Sequence, residues 1–302
     1  MIIISWLTVI ILSVTTCWLI RTKERSFTSI RYHLNSKITQ KARLAGRFIH
    51  FILQSGNRYR VHSPFLYSMT DEVIRRHKAE EIFARIEQIR QECLRSNEII
   101  QKTDHGYSKN DNPVRVYPIT LRKIARTSLT PPRIARRLFR LARFMKATKI
   151  LEIGTSLGIT TAYFALARPD ARIITLEGCP ELSRIAREHF NRLGIKNIEL
   201  LEGRFEENLS KALNQLETAD LVYIDGNHQK EALLNYYKQC YDHSGNDTVI
   251  VIDDIHSSPG MEEAWEEIWQ KEEARVSLDL FTSGWVLFRK ESSKQHFRLR
   301  YV

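Results

Sequence analysis

The stretch Lys149–Gly158, K-I-L-E-I-G-T-S-L-G, constrains the fold of this chain more than any other. An Ile/Leu-rich run ends at Glu152-Ile153-Gly154, a small-residue loop follows, and Gly158 opens the helix-like Ile159–Ala167. A β-prone run that breaks at glycine and restarts as a helix is the first turn of a βαβ unit. Glycine serves there because the backbone must come close to something that a Cβ would block. The spacing is Gly-x-x-x-Gly; neither Gly-x-Gly-x-x-Gly nor a phosphate-loop Lys-Ser/Thr is present.

From Lys149 onward, apolar runs alternate with helical stretches. Strands are expected at 149–153, 172–176, 198–202, 220–224 and 248–252, with helices at 159–167, 180–193, 206–216 and 229–240. Strands separated by helices of this length require right-handed crossovers and a parallel sheet. After a further helix, Met261–Lys271, come two closer strands, Val276–Phe281 and Trp285–Arg289. Only Thr282-Ser283-Gly284 lies between them, so they form a hairpin and one of them runs antiparallel. The expected fold class is therefore α/β: a doubly wound, seven-stranded, Rossmann-like sheet with an antiparallel last strand.

Ligands of an open α/β sheet collect outside the carboxyl ends of its strands. Those ends read Gly154–Gly158, Glu177, Gly203-Arg204-Phe205, Asp225-Gly226-Asn227-His228 and Asp253-Asp254-Ile255-His256. Core packing does not call for such a concentration of Asp, Glu and His. Glu177, at the second strand end, is placed to accept both hydroxyls of a ribose.

The motifs L-E-I-G-T-S-L-G, T-L-E-G, Y-I-D-G-N-H and V-I-D-D-I-H-S-S-P-G carry a resemblance. Residues 150–289, about half the chain, resemble the class I S-adenosylmethionine-dependent methyltransferases, and more closely the catechol-type O-methyltransferases. The resemblance implies S-adenosylmethionine as cofactor, with Glu152, Gly154, Thr155, Ser156 and Gly158 at its methionine end beside Asp225. Glu177 would hold the ribose, and Arg204 and Phe205 would flank the adenine. It also implies a Mg²⁺ held by Asp225, Asp253 and Asp254, a hard-oxygen set of the kind that ion takes. A metal-free site in which these aspartates cap helices or touch substrate is the alternative. For catalysis the candidates are Asp225, His228 and His256; His228 stands where these enzymes often place a lysine base. A histidine of either kind could equally do no more than bond its loop, and for His256 that is the expectation. Trp265 and Trp269 read as core, and Cys179 and Cys240 as buried and inert.

The front of the chain has a different character. Met1–Ile20 contains no charged side chain, and about 20 apolar residues suffice to cross a bilayer as a helix. Arg21, Lys23 and Arg25 follow at once, which places the bulk of the chain in the cytoplasm by the positive-inside rule. A start of translation beyond residue 20, leaving a cytoplasmic protein, is the alternative. Arg21 to Lys149 carries 29 Lys/Arg against 10 Asp/Glu, whereas Ile150 to Val302 carries 17 against 25. So basic a front half suits anionic lipid, particularly over residues 21–60, or nucleic acid; a solvated basic surface is the bland reading. A helix is expected from about Asp71 to Ile100, a polar loop or linker over Thr103–Pro118, and a helix at Arg133–Phe144 opened by Pro131-Pro132. The domain scheme is an anchor at 1–20, a basic helical region at 21–118 and a methyltransferase domain at 119–302. Four scattered cysteines without a C-x-x-C pair argue against a disulfide framework or a zinc site.

The expected activity is methylation of a hydroxyl on a small-molecule acceptor. An RNA methyltransferase that grips phosphates with the basic half, and a non-catalytic cofactor-binding module, are the two alternatives.

Overall fold

The computed structural model describes residues 46–56, 63–75, 81–105 and 114–300. The chain divides into two units at Leu53/Gln54. Of the first unit only a helix is described, α1, which spans residues 46–54. The expected membrane-spanning segment 1–20 and most of the basic segment 21–60 lie outside the described residues. Among the described residues no helix is long and apolar enough to cross a membrane.

The second unit is built on β3 (Lys149–Ile153), β4 (Arg172–Glu177), β5 (Ile198–Glu202), β6 (Ala219–Ile224), β7 (Ser244–Asp253), β8 (Val276–Asp279), β9 (Ser283–Leu287) and β10 (Gln295–Arg298). Their order across the sheet is β10-β8-β9-β7-β6-β3-β4-β5. β9 runs antiparallel to both neighbours, and all other pairs are parallel. The seven expected strands are present with the antiparallel member where the short turn required it. The sheet has an eighth strand, β10, because four residues of mixed polarity, Gln-His-Phe-Arg, add to the edge of β8. So short a run carries no periodic signal of its own.

Helices cover both faces. On one side lie α5 (Pro132–Phe144), α6 (Ile159–Ala167) and α7 (Pro180–Leu193); on the other lie α8 (Phe205–Leu216), α9 (Lys230–Asp242) and α10 (Pro259–Gln270). Alternate strand residues feed the two layers. Ile150 packs with α5 and α6, whereas Leu151 and Ile153 pack with α8 and α9. Burial on both faces is why these strands read as continuous apolar runs.

Two expectations for the front region need correction. The long helix expected over Asp71–Ile100 is a π-helical turn at Thr70–Arg75, which continues α2 (Pro64–Met69), and a separate helix, α3 (Phe83–Arg95). Ser96, with φ −71° and ψ 131°, ends α3 in extended backbone. The β-branched pair Ile99-Ile100 then begins β1 (Ile99–Asp104). The linker expected over Thr103–Pro118 contains the end of β1 and most of β2 (Arg115–Thr120), which pair antiparallel with Ile100 opposite Ile119. A two-stranded ribbon exposes most of its side chains, so polar residues there did not imply a linker. Its end leads into α4 (Leu121–Ser128), capped by the Thr120 hydroxyl, which accepts from the Lys123 N–H. Leu66, Val73, Phe83, Ile86, Ile124 and Leu138 join one core with the sheet, so the boundary expected at 118/119 falls inside a single compact unit.

Candidate active site

A cavity of about 810 Å³ opens at the carboxyl ends of β3, β4, β6 and β7. Its floor is made by the first turn of the βαβ unit. Gly154 adopts φ +103°, and a Cβ there would lie 2.2 Å from the Asp225 carbonyl oxygen. Glycine is thus required because the ends of β3 and β6 meet at this point. Gly158, at φ +72°, faces the Phe190 ring and Ala186 of α7 and does not line the cavity. Its role is packing of the strand-helix turn.

Glu177 is buried, and both of its carboxylate oxygens are engaged. Oε2 accepts from the Ser156 N–H (2.7 Å) and Oε1 from the Cys179 N–H (2.9 Å). Each oxygen keeps a lone pair for a ligand hydroxyl. Burial pushes this carboxyl up to about 7, against the pull of the two backbone donors. Phe205 lies alongside, its ring close to Gly226. Gly154, Ser156, Glu177, Phe205 and Asp225 of the expected cofactor set therefore line one cavity. Glu152, Thr155 and Arg204 do not.

Glu152 instead belongs to a polar row inside the sheet. It is fully buried, accepts from the hydroxyls of Thr161 and Thr175, and leaves Oε1 without a partner. Desolvation raises its pKa to about 8, so it is mostly neutral at pH 7. Its strand neighbours in register are Thr175 and Tyr223.

Tyr223 is the residue joined to the acidic cluster that sequence reading missed. It lies two residues before Asp225 on β6, so both side chains share a face. The buried Tyr223 hydroxyl donates to Asp253 Oδ2 at 2.9 Å and lies 3.3 Å from Asp225 Oδ2. On its other side it meets Thr130 Oγ1 at 3.3 Å, which accepts from the Thr160 hydroxyl at 3.0 Å. The Tyr223–Asp225 spacing was visible as a period of two; Thr130, 93 positions away, carried no such signal. Asp254 adopts φ +54° and also lines the cavity. Burial, and then the mutual repulsion of these carboxylates, push Asp225 and Asp253 above the usual carboxylate range.

Such a cluster invites positive charge. Hard carboxylate oxygens are the donors Mg²⁺ prefers, and Asp225 and Asp253 come close enough to share one hydroxyl. Among the described residues, however, no three His, Cys, Asp or Glu side chains close around a common point as a metal set.

The two expected histidines separate. His228 lines the cavity half-exposed, its Nε2 3.8 Å from Asp225 Oδ1. His256 is absent from the lining. Its Nδ1 meets Glu262 Oε1 at 2.9 Å, its Nε2 meets the Asp279 carboxylate at 3.1–3.2 Å, and its ring stacks on Phe281. Both ring nitrogens are occupied, so the catalytic role considered for His256 is corrected to a clamp between the β7–α10 loop and β8. Trp265 packs over Gly284 and is core, as expected.

Two segments from the front of the chain complete the walls. Lys102–His105 closes the β4 end, where the His105 ring meets the Gly178 carbonyl at 3.0 Å and the Thr103 N–H approaches Cys179 Sγ at 3.3 Å. Arg126–Pro131 closes the β6/β7 end through the Thr130–Tyr223 contact.

This geometry agrees with the comparisons to known proteins. Residues 151–255 match the family described as "Methyltransferase domain". That stretch, about a third of the chain, is similar to the methyltransferase domain family. The chain is 32% identical over 127 residues to a catechol O-methyltransferase of Mycobacterium tuberculosis, a match covering 40% of this chain. The match spans only about half of that relative's length (54%). A putative O-methyltransferase from Klebsiella pneumoniae has the same fold, with TM-score 0.51 at 19% identity over 70% of this chain and 91% of its own. So does an O-methyltransferase from Bacillus cereus in complex with S-adenosylhomocysteine (SAH), with TM-score 0.50 at 19% identity over 74% and 96%.

Proposed function

We propose that this chain transfers the methyl group of S-adenosylmethionine to a hydroxyl of a small-molecule acceptor. The observation that carries the reading is the division of one cavity into two chemically distinct ends. The buried Glu177 carboxylate and Phe205 suit the ribose and adenine, and the Asp225–Asp253–Asp254 cluster with His228 lies at the other end. The relative named as a catechol O-methyltransferase and the SAH-bound structural neighbour support both halves of the proposal.

The chain's own contribution is alignment and proton removal. The acceptor oxygen attacks the sulfonium methyl in line, the new O–C bond forms as the C–S bond breaks, and SAH leaves neutral. The hydroxyl proton passes to His228, an imidazole that lines the same end of the cavity. Asp225 and Asp253, fixed by the Tyr223 hydroxyl, present carboxyl oxygens beside the positive donor. Asp225, Asp253 and Asp254 line this end without closing around a common point, so no step is assigned to a Mg²⁺.

Methyl-labelled cofactor and catechol, followed with Mg²⁺ and with chelator, test this directly. Label should pass to the catechol oxygen, and His228→Asn should lower the rate about 10²-fold or more. Transfer that is insensitive to chelator removes the metal from the reaction. No transfer to any hydroxyl acceptor contradicts the assignment.

A further inference from the structure

The acceptor end of the cavity contains a cation that the proposed reaction does not use. Arg126, on the last turn of α4, is exposed, lines the cavity, and makes no hydrogen bond or ion pair among the described residues. Arg122 and Lys123 on the same helix lie outside the lining, and the cations packed deeper are engaged. Arg90 bonds the Thr130 carbonyl and the Glu87 carboxylate, Arg140 bonds the Val73 carbonyl, and Arg143 lies over the Phe139 ring.

The position of Arg126 is fixed by its own segment. Four residues on, Thr130 is buried and joined to Tyr223, and through it to Asp253 and Asp225. The wall Arg126–Pro131 therefore belongs to the acidic end, whereas Lys102–His105 is tied to Gly178 and Cys179 at the ribose end. A planar guanidinium with five donors and no protein acceptor is suited to bind a carboxylate or phosphate in two-point fashion. An anionic substituent anywhere else at this end would meet Asp225, Asp253 and Asp254 and be repelled. The edge bearing Arg126 offers it a permanent positive charge.

We propose that the methyl acceptor is a hydroxyl compound with an anionic group, a carboxylate or a phosphate, which Arg126 binds while the hydroxyl points to the acidic end of the cavity. This rests on the methyltransferase reading above and narrows its substrate class.

Three acceptors of similar size test it: 3,4-dihydroxybenzoate, its neutral methyl ester, and 3,4-dihydroxybenzylphosphonate. For the full chain at low ionic strength, kcat/KM should favour the carboxylate or the phosphonate over the ester roughly tenfold or more, the size of one charge-assisted hydrogen bond. The better of the two anions identifies the group. Added salt should shrink the preference. Arg126→Gln should bring the ratio to within about threefold of one, and Arg126→Lys should retain part of it, because charge survives without the fork. Thermal melting of each variant confirms that it is folded. Equal efficiency with ester and anions overturns the inference, as does a preference that survives Arg126→Gln; either result leaves methyl transfer to hydroxyls intact. No transfer to any of the three acceptors contradicts the hydroxyl-transfer reading, and the inference falls with it.

Discussion

Tyr223 shows how one side chain links the core to the chemistry. Its ring is buried on the α6 side of β6 against Phe164, and its hydroxyl reaches both Asp253 and Asp225. A hydroxyl carries a single hydrogen, so the 2.9 Å contact to Asp253 takes it and Asp225 is held as the second neighbour. Thr160 donating to Thr130 orients the next hydroxyl toward Tyr223, and the buried row points its hydrogens at the carboxylates. Tyr223→Phe keeps the ring and removes that donor. The expected result is a fall in kcat of about tenfold, the value of one buried hydrogen bond to a charged group, with the dissociation constant of SAH changed less than about threefold. Parallel loss of SAH affinity and kcat would show that the hydroxyl supports the whole cavity and not the acidic end. Glu177 and Asp225 were readable from their place at strand ends. Tyr223 was hidden because an aromatic residue inside an apolar strand looks like packing until the fold brings Thr130 to it.

At the scale of elements, the alternation of apolar runs and helices told nearly everything about the sheet. The starts and ends of α6 and α7 agree with their expected limits, because Gly158, Pro180 and Gly194 mark them chemically. The front region failed for the same physical reason in reverse. β1 and β2 have few apolar residues, and their pairing partner is set by contact with each other and with Cys179, not by a local pattern. The glycines that open α6 and close α7 also differ in kind. Gly158→Ala would set a Cβ 2.6–2.8 Å from the Phe190 ring at φ +72°, while Gly194→Ala shares that φ with nothing within 4 Å. The backbone term alone costs about 1–2 kcal/mol. Overpacking adds about 1–3 kcal/mol at Gly158. Thermal melts should rank Gly158→Ala clearly below Gly194→Ala; equal losses would mean that α7 moves away freely.

The whole molecule joins an acidic C-terminal half to a basic front half. The part of that front half described from Ser63 to Pro131 is not a separate module: its apolar side chains enter the sheet's core, and two of its segments wall the cavity. Acceptor choice is therefore expected to reside there, on a surface whose sequence had no recognisable acceptor-binding pattern. We propose from the sequence alone that residues 1–20 anchor the chain in a membrane with the catalytic part in the cytoplasm. Resistance of the full chain to alkaline extraction from membranes supports this, and release into the supernatant contradicts it.

The central claim is that the cavity holds S-adenosylmethionine with Glu177 on the ribose, and titration calorimetry with SAH at pH 8 and pH 6 tests it most directly. Burial raises the Glu177 carboxyl to about 7, and the ribose hydroxyls donate to its ionised form. Affinity should therefore be fully present above pH 7 and fall as pH drops through it, by up to about tenfold at pH 6. Glu177→Gln should weaken binding at pH 8 by roughly tenfold or more and remove the pH dependence. Micromolar binding with that dependence is the predicted result. No binding of SAH, or binding indifferent to both pH and Glu177→Gln, would contradict the account.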